Sequence, residues 1–333
     1  MKRQRQGEEA IIPEVPLKRG PAPPIIQPPN EKEQRREMRR IAFDSKERFR
    51  TRGAQANAFT TTYNGQPAFL KIYTDINMGT GEVNIAKKLK CNNSHLICQL
   101  DAFEIIEDGV KKVVLVYEYI KGAINGEEIK QHSVTLSDIL TIFKGAVAGL
   151  RELHSHDIYH LDLKPANILI QMRNGFHTYV ADYGLACSDK NSCKSLVGHL
   201  PLGNSQYVRF RGTINYIAPE LYLGNAPTAK SDIYSLGSLF YSIYSHQEAF
   251  IYRQERGESA IEQITVIDRQ TRDIVRPFPT NLWTPGNAFE TLVHSNLQTL
   301  ILHMLKSDPD KRPDLVSVEF ILKILSEFLN AST

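Results

Sequence analysis

Past residue 45 the chain first alternates apolar and polar positions with a period of two, then changes to the three-to-four spacing of buried helices. "RFRTRG" and "AFTTTYNGQPAFLKIYT" read as strands, with Asn64-Gly65 as a hairpin turn because both residues tolerate positive φ. Together they predict a three-strand meander. "TGEVNIAKKLK" predicts a short helix capped by Thr80, with Val83, Ile85, Ala86 and Leu89 as its apolar face. "LICQLDAFEII" and "KKVVLVYEYI" flank the turn "EDGV" and add two strands, so a small sheet and one helix occupy residues 47–119. Beyond them, Leu140, Phe143, Val147, Leu150 and Leu153 form a helical stripe. "SDIYSLGSLFYSIYS" and "LQTLILHMLKSDP" are apolar enough for core helices, and "LVSVEFILKILSEFLN" closes the chain as an amphipathic one. No internal repeat is visible.

Composition changes the picture mainly at the head. Residues 1–52 hold 14 Lys/Arg against 8 Asp/Glu, and seven of the 17 prolines fall between Pro13 and Pro29. Such a segment lacks the apolar surface to offset its ordering entropy, so residues 1–45 are expected to be a disordered, Pro-rich basic tail. Removing residues 1–40 should then leave the fold cooperative and active. "KRQR" at Lys2–Arg5 is a candidate for a nuclear-import receptor, with a plain solvated arm as the alternative. Direct binding of nucleic acid is not expected. With 333 residues, 41% hydrophobic content and mean hydropathy of −0.32, the remainder can bury a substantial core. No apolar run approaches the ~20 residues of a membrane span, and no hydrophobic signal follows Met1. Cys91, Cys98, Cys187 and Cys193 lack the spacing of a zinc site or a disulfide framework and read as reduced thiols. These features imply a nuclear or cytoplasmic protein, neither secreted nor membrane-bound.

Candidate chemistry concentrates in "YHLDLKPANILI", Tyr159–Ile170. Any one of its polar residues is ordinary in a turn. Together they supply what phosphoryl transfer asks of a protein: a carboxylate near the acceptor hydroxyl, a cation on the phosphate, and metal ligands. Asp162 can orient or accept the hydroxyl proton, Lys164 can lie along the transferring group, and Asn167 can bind a magnesium ion through its amide oxygen. Asp182 in "ADYG" offers a second metal ligand, with Gly184 expected to let the backbone turn there.

On these residues, over about residues 47–328, the chain resembles the eukaryotic-type protein kinases, most of all the serine/threonine branch. "HLDLKPAN" is similar to the catalytic loop, "DYG" to D-F-G, "GTINYIAPE" to G-T-x-x-Y-x-A-P-E and "SDIYSLG" to D-x-W/Y-S-x-G, in the family's order. The resemblance implies an α+β, bilobal fold. A five-stranded sheet plus helix would form the N-lobe (46–119), a connector the hinge (118–122), and a larger helical C-lobe the rest (123–328). It implies ATP and Mg2+, with Mn2+ as a substitute, and transfer to protein Ser/Thr. Lys71 would contact the α- and β-phosphates and pair with Glu82. Tyr117 would lie behind the nucleotide, with the Glu118 carbonyl and Ile120 amide facing adenine. Thr213 would bond to Asp162 and Lys164, as in serine/threonine kinases. Glu220 and Arg312 would form a structural pair, Asp232 would hold the catalytic-loop backbone, and His160 would pack rather than carry protons.

Two departures matter. The phosphate-covering loop keeps Gly53 but has Gln55 and Ala58 where glycines are expected, which keeps open a pseudokinase acting as a protein-binding scaffold. Leu161 stands where many relatives have the arginine that receives an activation-segment phosphate, although Ser188, Ser192, Ser195 and Ser205 lie in that segment. The eroded loop and "DYG" are also similar to some viral kinases.

Overall fold

The computed structural model describes residues 31–48, 56–89, 95–173, 175–188, 193, 197–199, 208–210, 212–250, 260–280 and 282–331. Five strands, β1 (Glu47–Arg48), β2 (Asn57–Tyr63), β3 (Gln66–Tyr73), β4 (Gln99–Glu107) and β5 (Val110–Glu118), form an antiparallel sheet in the order β1-β2-β3-β5-β4. Asn64, Gly65, Asp108 and Gly109 all have positive φ, so the two hairpin turns use the residues suited to them. Alternation then sorts the sheet's faces. Leu70, Ile72, Val114 and Val116 point to one side, while Tyr73, Val113, Leu115 and Tyr117 join the main core on the other.

The first of those faces is covered by a helix that the composition did not announce. Residues Glu31–Asp44 form α1, not the end of a disordered tail. Met38, Ala42 and Phe43 pack on Tyr63, Leu70, Val114 and Val116. Arg39 reaches the buried Asp101 of β4 with two bonds, Nε at 2.7 Å and Nη2 at 2.8 Å. That docking corrects the expected boundary at 45, and removing residues 1–40 would strip part of the N-lobe's packing. Residues 1–30, with "KRQR", lie outside the described residues.

On the opposite face lies α2 (Ile76–Ala86). It begins before the expected cap at Thr80, because the Asp75 carboxylate accepts the amides of Asn77 and Met78. The C-terminal part is helical around α3 (Leu136–Ser155), opened by a Thr135/Asp138 capping box, and α5 (Ala229–Ser245), opened by Thr228 and Ser231. Between these two, the short α4 spans Pro219–Tyr222; α6 (Ala260–Thr271), α7 (Ala288–Met304) and α8 (Leu315–Asn330) follow α5. Phe143 of α3 stacks on Phe240 of α5, and 14 of the 17 residues of α5 are buried, as its apolar sequence predicted. A three-stranded sheet of β6 (Ile124–Asn125), β7 (Ile168–Gln171) and β8 (His177–Val180) underlies the site, and β9 (Val197–His199) pairs with β10 (Val208–Phe210). The α+β architecture, with a sheet-rich N-terminal part and a helical C-terminal part, is as expected. Backbone bonds Ile97 N to Val180 O (3.1 Å) and Val180 N to His95 O (2.9 Å) fasten the two parts.

The cysteines need correction. Cys187 and Cys193 are joined in a disulfide, and Cys98 is also disulfide-bonded. Spacing alone does not report this pair; Cys187 is buried and its backbone bonds Tyr159 in both directions. The inference from reduced thiols to a cytosolic or nuclear compartment therefore falls. Among the described residues no helix is long and apolar enough to cross a membrane.

Candidate active site

Two clusters of charged side chains meet at the junction of the sheet and the helical part. The first grows from the loop after Tyr159. The amides of His160 and Leu161 both donate to the Asp232 carboxylate at 2.8 Å, and His154 Nε2 adds a third bond at 2.9 Å. Asp232 is wholly buried in the first turn of α5. This grip holds Leu161 at φ 61°, a left-handed conformation that disfavours a branched side chain. Both nitrogens of His160 are committed: Nε2 donates to the Ala181 carbonyl at 3.0 Å and Nδ1 accepts the Asp162 amide at 3.3 Å. It packs and orients, as the sequence suggested.

Beyond that turn Asp162 becomes the hub. Its Oδ2 accepts Lys164 Nζ at 2.8 Å and Asn167 Nδ2 at 3.0 Å, and its Oδ1 accepts the Thr213 hydroxyl at 3.2 Å. Lys164 also donates to Thr213 Oγ1 at 2.8 Å, which closes a triangle across 49 residues of chain. Asn167 Nδ2 further bonds the Asp162 carbonyl at 2.8 Å, so its Oδ1 is the atom left for a cation. The structure brings Asp162, Lys164, Asn167 and Thr213 together in one bonded group.

Lys71 is the centre of the second cluster. Its Nζ lies 2.7 Å from Glu82 Oε2 on α2 and 2.6 Å from Asp182 Oδ1. Burial works to lower the Lys71 ammonium, but Asp182 and Glu82 outweigh it and raise it well above its ordinary value. For Asp182 the surrounding protein works to raise the carboxyl; the charge and bond of Lys71, with the Gly184 amide, hold it below the usual range. Its side chain is still 45% exposed, so part of the carboxylate is open to solvent. Ala181 N donates to Asn167 O at 2.9 Å, which sets the two expected metal ligands side by side.

Gly184 serves a different purpose from the one predicted. The turn's left-handed residue is Asp182 itself, at φ 66°. A Cβ on Gly184 would lie 2.7 Å from the Tyr73 hydroxyl, 3.0 Å from Lys71 Nζ and 3.1 Å from Asp182 Oδ1. Glycine is needed there for room.

The connector is anchored at Glu118, whose amide and carboxylate both bond Cys98, at 3.0 and 2.7 Å. Ile120 turns its carbonyl to the Ala123 amide at 3.1 Å. Neither residue touches the two clusters through these bonds. Gly53 and Gln55 lie outside the described residues, as do Ser192, Ser195 and Ser205. Ala58 is on β2, paired in register with Lys71.

Lower down, Arg312 uses all five N–H donors: two on Glu220 (2.9 and 2.7 Å) and one each on the carbonyls of Lys230, Lys306 and Ser307. Tyr73 is the participant that sequence did not reveal. Its hydroxyl bonds Glu82, and Tyr117 donates to the other Glu82 oxygen at 2.7 Å. Tyr73 lies two positions after Lys71 on one strand, so a period of two carried the signal, but a tyrosine in an apolar strand reads as core.

The donor set suits Mg2+. One amide oxygen and one carboxylate, adjacent and partly open, are the hard ligands such an ion takes when water and phosphates supply the rest. Among the described residues no cluster of three or more His, Cys, Asp or Glu could enclose a metal alone.

Comparison with known proteins agrees with this geometry. The family model for the protein kinase domain matches residues 72–322. Among similar proteins, a protein kinase and PP2C-like domain-containing protein of Arabidopsis thaliana is 28% identical over 206 residues, 60% of this chain and 30% of its own length. A calcium and calcium/calmodulin-dependent serine/threonine-protein kinase of Lotus japonicus is 26% identical over 256 residues, 76% of this chain and 44% of that one. Myosin light chain kinase family member 4 of Homo sapiens is 31% identical over 172 residues, covering 51% and 40%. The chain thus spans less than half the length of these relatives.

Proposed function

The chain belongs to the protein kinase domain family, and on that premise we propose that it transfers the γ-phosphoryl group of ATP to serine and threonine hydroxyls of protein substrates. The observation that carries this reading is the closed triangle of Asp162, Lys164 and Thr213 beside the Lys71–Glu82–Asp182 network. Asp162 orients the acceptor hydroxyl and receives its proton. Lys164 lies within reach of both and screens the charge that moves between them, while Thr213 keeps the carboxylate turned toward the acceptor. The Lys71 ammonium, steadied by Glu82, faces the α- and β-phosphates. Asn167 and Asp182 would hold Mg2+, which neutralises charge on the β- and γ-oxygens. Glu118 and Ile120 offer backbone groups to adenine. The bridge from Lys164 to Thr213 supports Ser/Thr over Tyr as acceptor. Nothing among the described residues favours a catalytically idle scaffold.

The experiment is incorporation of labelled phosphate from ATP into a generic basic protein, wild type against Asp162→Asn, with phosphoamino-acid analysis. Loss of the proton acceptor should lower turnover by ~10²–10⁴-fold, with label on Ser and Thr. Equal incorporation by both proteins, or none by either with Mg2+ and Mn2+, removes the reading.

A further inference from the structure

Glu82 is a carboxylate with 2% of its surface exposed and three donors: Lys71 and Tyr73 on Oε2, Tyr117 on Oε1. The lysine has divided obligations. It also binds Asp182 at 2.6 Å, and in the kinase reading it must reach phosphate during every turnover. A buried carboxylate that loses its only donor is expensive, because the charge is left without water or partner. The two phenols remove that dependence. Burial and then the Glu82 charge push both phenols well above their ordinary range, so each remains a donor.

The surroundings make such a hold useful. Helix α2 is only 11 residues long and contains Gly79 and Gly81, each of which weakens a helix relative to alanine. Tyr73 and Tyr117 stand on neighbouring strands, β3 and β5, so both rings are carried by the paired backbone of the sheet. Tyr73 also lies directly under the Asp182–Gly184 turn, within 2.7 Å of where a Gly184 Cβ would be, and the Tyr117 ring is 6.5 Å from that of Tyr183.

We propose that Tyr73 and Tyr117 are positioning residues that clamp Glu82, and through it α2 and Lys71, in the arrangement needed for phosphoryl transfer, so that this alignment is built into the fold. The clamp rests on the kinase reading for its catalytic consequence. Its existence as a physical hold does not.

Two measurements test it. In Tyr73→Phe/Tyr117→Phe the rings stay and both hydroxyls go. The kcat is expected to fall at least tenfold while KM for ATP moves less than threefold, and α2 amides should exchange hydrogen at least tenfold faster with α3 unchanged. Tyr117→Phe alone, which leaves Tyr73 on Oε2, should give intermediate changes and guards against a double variant that does not fold. The decisive comparison uses Glu82→Gln: if the phenols act through Glu82, adding both Phe substitutions to it should cost less than a further twofold in kcat. Losses that multiply, or α2 exchange unchanged by the substitutions, overturn the proposal. A wild type as idle as Asp162→Asn would sink the kinase reading and the catalytic part of the clamp, and the exchange data would then report separately on the hold itself.

Discussion

Arg39→Ala is the sharpest test of the helix that composition hid. The substitution removes two charge-assisted bonds from Asp101, whose side chain is 5% exposed, and leaves it with the Tyr63 hydroxyl at 2.7 Å and the Ala102 amide at 2.9 Å. It also removes a guanidinium placed 5.2 Å from the Phe103 ring centre. Breaking a buried ion pair from one side costs roughly 3–5 kcal/mol, and Arg39 is a third exposed, so the low end, about 3 kcal/mol, applies. For a domain of this size that is roughly 6–12 °C in Tm. The assay is urea unfolding at pH 7 for wild type and variant. Burial works to raise the Asp101 carboxyl, but Arg39 and Tyr63 outweigh it and hold it below its unfolded value. The stability it contributes is therefore present above the unfolded pKa, near 4, and disappears as pH falls through the lower folded one. The wild type should keep this contribution at neutral pH and lose it only as pH falls below about 4. Truncation to residue 46 removes Met38, Ala42 and Phe43 as well and should cost more. A gap under about 1 kcal/mol at pH 7 would show that Arg39 does not anchor α1 in this way.

Gly184→Ala should retain the fold by circular dichroism yet lose at least tenfold in turnover, because the new methyl can be accommodated only by displacing Tyr73, Lys71 or Asp182; unchanged turnover would mean the network yields freely. Arg312→Met should destabilise by about 3–5 kcal/mol in urea, since Glu220 is then left buried with Ser231 alone, and a loss below 1 kcal/mol would mean Glu220 finds another donor. Protein made in bacteria should keep its turnover within about threefold after phosphatase treatment, because Leu161 offers no counter-charge to a segment phosphate. A loss beyond tenfold, ~1.4 kcal/mol in the barrier, restored by rephosphorylation in the segment, would assign the missing arginine's task to another basic residue.

Legibility in the sequence followed the length of chain over which each feature is determined. Asp162, Lys164 and Asn167 were readable because their bonds span at most five residues, so local turn geometry fixes their relation. Strands and core helices were readable from period. The start of α2 was misplaced because Gly79 and Gly81 mask its first turns, while the deciding cap is a single carboxylate at Asp75. The first helix was lost because its apolar residues are few and its main anchor, Asp101, lies 62 residues away. The Cys187–Cys193 bond was hidden although it spans only six residues, because four cysteines at irregular gaps match no disulfide framework.

The long-range anchors share one chemistry. Asp101, Glu82, Glu220 and Asp232 are all buried carboxylates. An ionised carboxylate only accepts, so it dictates which way several donors must point, and burial makes any missing donor costly. Apolar packing could hold the same elements together but would not fix their rotation. Asp232 illustrates the difference. It collects two successive amides and thereby keeps Leu161 in a backbone conformation that costs roughly 1–2 kcal/mol on its own. Each amide bond to a charged acceptor contributes ~1.5–3 kcal/mol, enough to offset that strain. The backbone leading into Asp162, the next residue, is thus set from α5, while Thr213 and Lys164 hold its carboxylate. With the loop fixed in that way, the residue at 161 is free to be apolar, and Leu161, 3% exposed, joins the core instead of waiting for a phosphate.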